Sequence, residues 1–228
     1  IQYLRDFEGM GFREACASLG VEANERRAWS PTPEMKRTAT ERREFQPAVH
    51  GSPPDLWREK AGKLVSWAEA ELAGNDAALS FLAERGIDPD TARSFRLGWN
   101  QGENGADIYR PRKSWGLPEQ VRSDGRPKAL WIPVGLVIPC FDSGEVVRVR
   151  IRRPDGEPRY YVLPGSSMAT YIAGRDRRAF VVVESELDAI TCSAASPLAG
   201  AVAVGAVAAK PDADASAALK GALCILNA

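Results

Sequence analysis

The sequence predicts an α+β fold: a helical and antiparallel-meander region followed by a smaller, partial α/β region with a parallel sheet. Three observations carry this. Residues 56–98 place apolar side chains at helical spacing between capping signals. Residues 136–162 alternate apolar and basic side chains between two turn signals. Residues 177–228 alternate short apolar runs with alanine-rich segments, the pattern of parallel strands joined by helices with both sheet faces covered.

Taken in order, the opening "IQYLRDFEGMGFREACASLGV" spaces Ile1, Leu4 and Phe7 as a helix. It breaks at Gly9–Gly11 and resumes with Phe12, Ala15, Cys16 and Leu19, so a short helix pair is expected over residues 1–21. Residues 22–55 are rich in proline and charge with few spaced apolar side chains, the composition of a linker. Trp57, Leu64, Trp67, Leu72, Leu79 and Phe81 then predict two helices jointed near residues 74–76. Asp88 is expected as an N-cap, Pro89 as the first helical residue, and Gly98 as the stop of a third. Between about 100 and 130 the signals fade into glycine, proline and charge, with room for one short helix. The meander follows, and the α/β region begins near residue 177, so the chain divides at 1–21, 22–55, 56–176 and 177–228.

With 228 residues and 44% hydrophobic content the chain can bury a core. Thirty basic residues balance thirty acidic ones, so net charge names no partner and only local charge can. Four dispersed cysteines and one histidine, His50, supply neither a disulfide framework nor a complete zinc site; small buried thiols in a reducing cytoplasm are expected. His50 is expected in solvent, and the six tryptophans as core or interface anchors. No run reaches the roughly 18 to 20 apolar residues of a membrane span. The absence of an initial Met and an apolar final run suggest a fragment.

"FVVVESELDAITCSAA", residues 180–195, carries the chemistry. An apolar strand runs into Glu184, Glu186 and Asp188, and ligands of open parallel sheets bind beyond the carboxyl ends of strands. Glu184 is thus the candidate acid/base or metal ligand, and Asp188 a support for the turn or for a metal-bound water. Glu186 is expected to face solvent. The same acids would equally suit a helix start, where the dipole favours negative charge.

Upstream, "VVRVRIRR" sends Arg148, Arg150 and Arg152 to one strand face and Val147, Val149 and Ile151 to the other. Arg159 with Tyr160 and Tyr161 adds a cation beside stacking surfaces. Together these suit phosphate contact and single-strand binding. An edge strand protected by charge is the structural alternative.

"VVVESELDAI" resembles the first motif of the TOPRIM fold, with Ser185 where glycine is usual, and "AVAVGAVAAK" and "ALCILNA" are similar to its second and third strands. "FLAERGIDPDTARSFRLGW" and "LVIPCFDSGEVVRVRIRRPDGEPRYYVLPGSS" resemble successive stretches of bacterial-type replicative DNA primases. Their Pro-Lys-Tyr motif stands here as Pro158, Arg159 and Tyr160, and Arg152 is chosen over Arg150 for the arginine of their basic strand. The opening is similar to the tail of the primase zinc-ribbon domain.

The resemblance implies a fragment running from that tail through the first half of TOPRIM. It implies template-directed RNA primer synthesis on single-stranded DNA from nucleoside triphosphates in the intact protein, with a replicative helicase as partner. Glu184 would be the catalytic and metal-binding acid, supported by Asp188, with Mg2+ or Mn2+; Zn2+ would belong to the missing upstream domain. The family's Asp-x-Asp ligands are expected after residue 228, so residues 1–228 alone should be inactive. The alternatives are another TOPRIM enzyme, nuclease or topoisomerase-like, and a catalytically inactive nucleic-acid-binding module of a phage or mobile-element replication protein.

Overall fold

Helix α1 (Asp55–Leu72) begins where Pro54 fixes its own φ at −57° and buries Trp57, Ala61, Leu64, Val65, Ala68 and Leu72, one stripe at helical spacing. The computed structural model describes residues 45–205 and 209–227 together with Gly11, Glu14, Ala17 and Ser18. Apart from those four positions, the expected helix pair of residues 1–21 and the linker through residue 44 lie outside the described residues. Residues 46–228 form one compact unit and residues 1–45 another; the fold below is that of the first.

Helix α2 (Asp76–Ala83) is capped by Asn75, which accepts from the Ala78 amide, and α3 (Pro89–Ser94) by Asp88, which accepts from that of Thr91 with Pro89 in the first turn. The expected stop at Gly98 is corrected. The helix ends at Ser94, Arg96 takes the left-handed conformation (φ 54°), and Gly98 opens strand β1 (Gly98–Asn100). There a Cβ would fall 2.6 Å from the Ala68 carbonyl carbon, so α1 crosses the strand against bare backbone.

Strands β2 (Ile108–Arg110) and β3 (Leu130–Ile132) pair as a ribbon, with one 3-10 turn, Arg112–Trp115, between them. β4 (Gly135–Asp142) and β5 (Glu145–Arg152) form the central hairpin; its turn residues Ser143 and Gly144 both have positive φ, as a type I′ turn requires. With β6 (Tyr160–Val162) they make an antiparallel sheet in the order β1-β4-β5-β6. One face packs on α1 and the β2–β3 ribbon through Val137, Val149, Ile151, Leu130 and Ile132. The Trp57 indole N–H also donates to the Pro164 carbonyl at 2.8 Å.

The pairing slips between Cys140 and Phe141, a bulge that turns Val147 to the same side as Arg148. The expectation that Val147 shares a face with Val149 and Ile151 is therefore wrong by one bulge. That second face packs Leu136, Ile138 and Val147 against α2, α3 and the α/β region.

The α/β region comprises β7 (Tyr171–Ala173), β8 (Ala179–Val183), α4 (Glu186–Ala195), β9 (Ala199–Ala203), α5 (Ala213–Lys220) and β10 (Cys224–Asn227). Its sheet order is β10-β8-β9-β7, with β8 parallel to both neighbours and β7 antiparallel to β9. Both faces are covered. Leu187, Ala189 and Ile190 of α4 pack with Val183, Ala201 and Ala203, while Ala215 of α5 packs with Phe180 and Val202. β7 belongs to this sheet although it precedes residue 177 in the chain. Among the described residues no helix is long and apolar enough to cross a membrane.

Candidate functional site

Glu184 is the first residue beyond β8, a strand flanked on both sides by parallel partners, and its side chain is exposed at the carboxyl end of the sheet. The main chain there is fixed: the Gly205 amide donates to the Glu184 carbonyl at 2.8 Å and the Val204 amide to that of Val183 at 3.0 Å. Ser185 then caps α4. Its hydroxyl accepts from the Asp188 amide at 3.3 Å and donates to the Asp188 carboxylate at 2.7 Å, a reciprocal cap that turns the chain directly after Glu184. The Asp188 carboxylate is thereby held against the Ser185 hydroxyl.

Glu186 overturns its expectation. It is 2% exposed and its carboxylate accepts from Arg148 Nη2 at 2.8 Å and Arg150 Nη1 at 2.6 Å, while Arg148 Nη1 donates to the Ala169 carbonyl at 2.7 Å. A buried carboxylate is tolerable only with such compensation, and two guanidiniums supply it. The alternation that put the arginines on one face holds, but the face is a junction. The second sheet docks there, so Arg148 and Arg150 meet the first turn of α4 rather than water.

Arg152 lies further along the same face, outside this ion-pair group. Its guanidinium sits 4.1 Å from the Phe81 ring centroid and 5.9 Å from that of Tyr160, and Arg150 covers the same Tyr160 ring at 4.5 Å. Arg159, in the turn before β6, is exposed. The structure thus joins Glu186, Arg148 and Arg150 at the seam, leaves Glu184 exposed two residues ahead of Glu186, and sets Arg152 on the aromatic rings of Phe81 and Tyr160 with Arg159 exposed in the turn before β6. Sequence reasoning missed the burial of Glu186. An acid in the first turn of a helix carries no mark of burial, although an arginine strand in a charge-balanced chain invites a search for its counter-ion.

Among the described residues no three His, Cys, Asp or Glu side chains are grouped to hold a metal ion. Glu184 offers one carboxylate, and that of Asp188 is engaged by Ser185, so these residues by themselves do not complete a divalent-ion site. Burial pushes the Cys140 thiol up, opposed by nearby Arg148, and pushes the Tyr171 phenol far up, so neither is a nucleophile or base near neutrality. His50 is exposed, as expected.

Known structures share this two-sheet α+β fold. The chain matches the zinc-binding and RNA polymerase domains of the Aquifex aeolicus primase with a TM-score of 0.52 and 20% identity, over 76% of this chain and 48% of that one. It matches the RNA polymerase domain of Mycobacterium tuberculosis primase DnaG, in complex with double-stranded DNA, at 0.53 and 20%, over 74% and 60%. A DnaG primase catalytic domain bound to single-stranded DNA gives 0.52 and 17%, over 75% and 62%. No family model matches the chain, and no curated protein sequence does. At these identities the likeness defines the fold, which is that of the bacterial primase catalytic core. The chain spans between about half and three-fifths of the length of these neighbours.

Proposed function

We propose that this chain is part of a DNA primase, a template-directed enzyme that makes short RNA primers on single-stranded DNA. The observation that supports it is the docking of Arg148 and Arg150 onto Glu186, which holds the arginine strand against the sheet tip that presents Glu184. In this reading the 3′-hydroxyl of the growing strand attacks the α-phosphorus of a nucleoside triphosphate. A phosphodiester forms and pyrophosphate leaves. Glu184 is the catalytic carboxylate contributed by this chain, supported by Asp188 through the Ser185 cap.

Arg152 and Arg159 contact phosphates, whereas Arg148 and Arg150 act at one remove by fixing the strand that carries Arg152, and the Tyr160 ring orients Arg150. Any Mg2+ or Mn2+ in the intact protein needs ligands beyond Glu184 and Asp188. A replicative helicase and a cytoplasmic, replicative setting follow from the same reading.

The test uses the protein in its natural full length: magnesium-dependent incorporation of ribonucleotides on a single-stranded template, wild type against Glu184→Gln. Loss of synthesis in the variant, with DNA binding retained, is expected. Full activity in that variant would remove Glu184 from the reaction. Binding without synthesis by the wild type would favour the inactive module.

A further inference from the structure

Between β2 and β3 the chain makes a detour that adds nothing to the core. Every residue from Pro118 to Ala129 is exposed, Val121 to 73%. The detour still has a defined shape. Val121 and Pro127 pair as an antiparallel bridge, the Arg122 amide donates to the Arg126 carbonyl at 2.8 Å, and the Lys128 amide donates to that of Gln120 at 2.7 Å. Its base is tied down by Arg112, whose Nε donates to the Pro118 carbonyl at 2.8 Å. Ordering this small hairpin costs conformational entropy that no apolar burial within the chain offsets, and an apolar side chain held out on it marks a contact surface.

The hairpin and β2 enclose a groove of about 400 Å³. Tyr109, itself 60% exposed, lines it with Pro111, Val121 and Pro127, and Lys113 and Lys128 supply charge. Two arginines that also reach the groove are already engaged: Arg110 is paired with Glu103, and Arg112 is buried on its carbonyl. Among the described residues neither lysine forms an ion pair, and Glu119 is the one acid along the groove. Between Tyr109 and Lys128 six basic side chains stand against two acidic ones, in a chain whose totals balance. The groove therefore attracts negative charge and apolar surface together.

Two kinds of ligand combine those properties, a nucleic acid and an acidic peptide. Single-stranded nucleic acid wants flat faces for successive bases, and Tyr109 is the one ring among two prolines and a valine. Aliphatic peptide side chains fit such a lining, and free lysines at its margin suit carboxylates. The chain's own residues 22–44 carry six basic and five acidic side chains, so they bring no net negative charge to the groove. We propose that this groove docks an acidic segment of a separate partner protein, its carboxylates on Lys113 and Lys128 and an apolar side chain between Tyr109 and Val121. The β2–β3 ribbon packs on the face of the antiparallel sheet opposite the one that meets the α/β region, so the docked partner leaves Glu184 uncovered.

The experiment measures by anisotropy the binding to the full chain of a fluorescein-labelled peptide in which glutamates flank a single leucine, and of the same peptide with glutamine for every glutamate. The acidic peptide should bind and the glutamine peptide should not. Lys113→Gln and Lys128→Gln together should weaken the acidic peptide roughly five-fold or more, as should Val121→Ser, and all three changes lie at exposed positions that folding tolerates. A wild type that does not bind the acidic peptide, or that binds both peptides equally, overturns the proposal. So does binding that none of the substitutions alters. If oligothymidylate displaces the peptide and loses affinity in the lysine variant, the groove holds nucleic acid and the peptide assignment fails. If the wild type dimerises in sedimentation and Val121→Ser abolishes it, the occupant is a second copy and the assignment fails likewise. None of these results bears on Glu184, so the primase reading is tested separately.

Discussion

Arg148 and Glu186 meet at 2.8 Å with their side chains 10% and 2% exposed, thirty-eight positions apart in the chain and on different sheets' elements. Removing one partner of such a contact leaves the other charge stranded in low dielectric. Glu186→Ala should therefore cost about 3–5 kcal/mol, read from urea denaturation. Replacing Arg148, Arg150 and Glu186 together by apolar residues of similar volume should recover most of that loss. A mild effect from Glu186→Ala would show that the junction admits water.

Gly98→Ala tests the crossing of α1 over β1. The added methyl would sit 2.6 Å from both the carbonyl carbon and the Cβ of Ala68, and the helix backbone cannot rotate aside. A loss of about 1–3 kcal/mol is expected, the usual cost of overpacking. Thermal melting measures it.

Asp212 is buried, caps α5 by accepting from the Ala215 amide at 2.9 Å, and accepts from the Thr170 amide at 2.8 Å, while the Thr170 hydroxyl accepts from the Asp212 amide at 3.0 Å. Asp212→Ala removes a cap and leaves a buried N–H unpaired, together about 2–4 kcal/mol. Chemical denaturation should show this, with Thr170→Val costing less because only one acceptor is lost.

Thiol chemistry reports the same junction. Burial raises both Cys140 and Cys192, the former against the opposing pull of Arg148 and the latter with added repulsion from Asp188. A raised pKa keeps the thiolate scarce at neutral pH, and reactivity climbs only as pH passes the raised value. Iodoacetamide labelling followed by peptide mapping should find buried Cys140 unmodified and half-buried Cys192 slow at pH 7, with the Cys192 rate rising above pH 9, the ordinary thiol value.

What the sequence made legible was whatever short-range physics decides. The apolar run into Glu184, the Ser185 turn, the Asp88 cap and the period-2 arginines each need only neighbours within a few positions, and each stands where the pattern put it. The failures all involve distance along the chain. Burial of Glu186 depends on partners 36 and 38 residues away. Gly98 reads as a helix stop until α1 is laid across it, and Val147 changes face because of a bulge opposite Cys140.

Arg148 also clasps the Ala169 carbonyl just ahead of β7, so a single guanidinium ties β5 to two separate points of the second sheet's framework. Anchored at three corners, the seam is a truss and not a hinge. On the proposed primase reading, these contacts set the span from Arg152 to the acid at the sheet tip before any nucleic acid arrives, like the fixed jaws of a gauge.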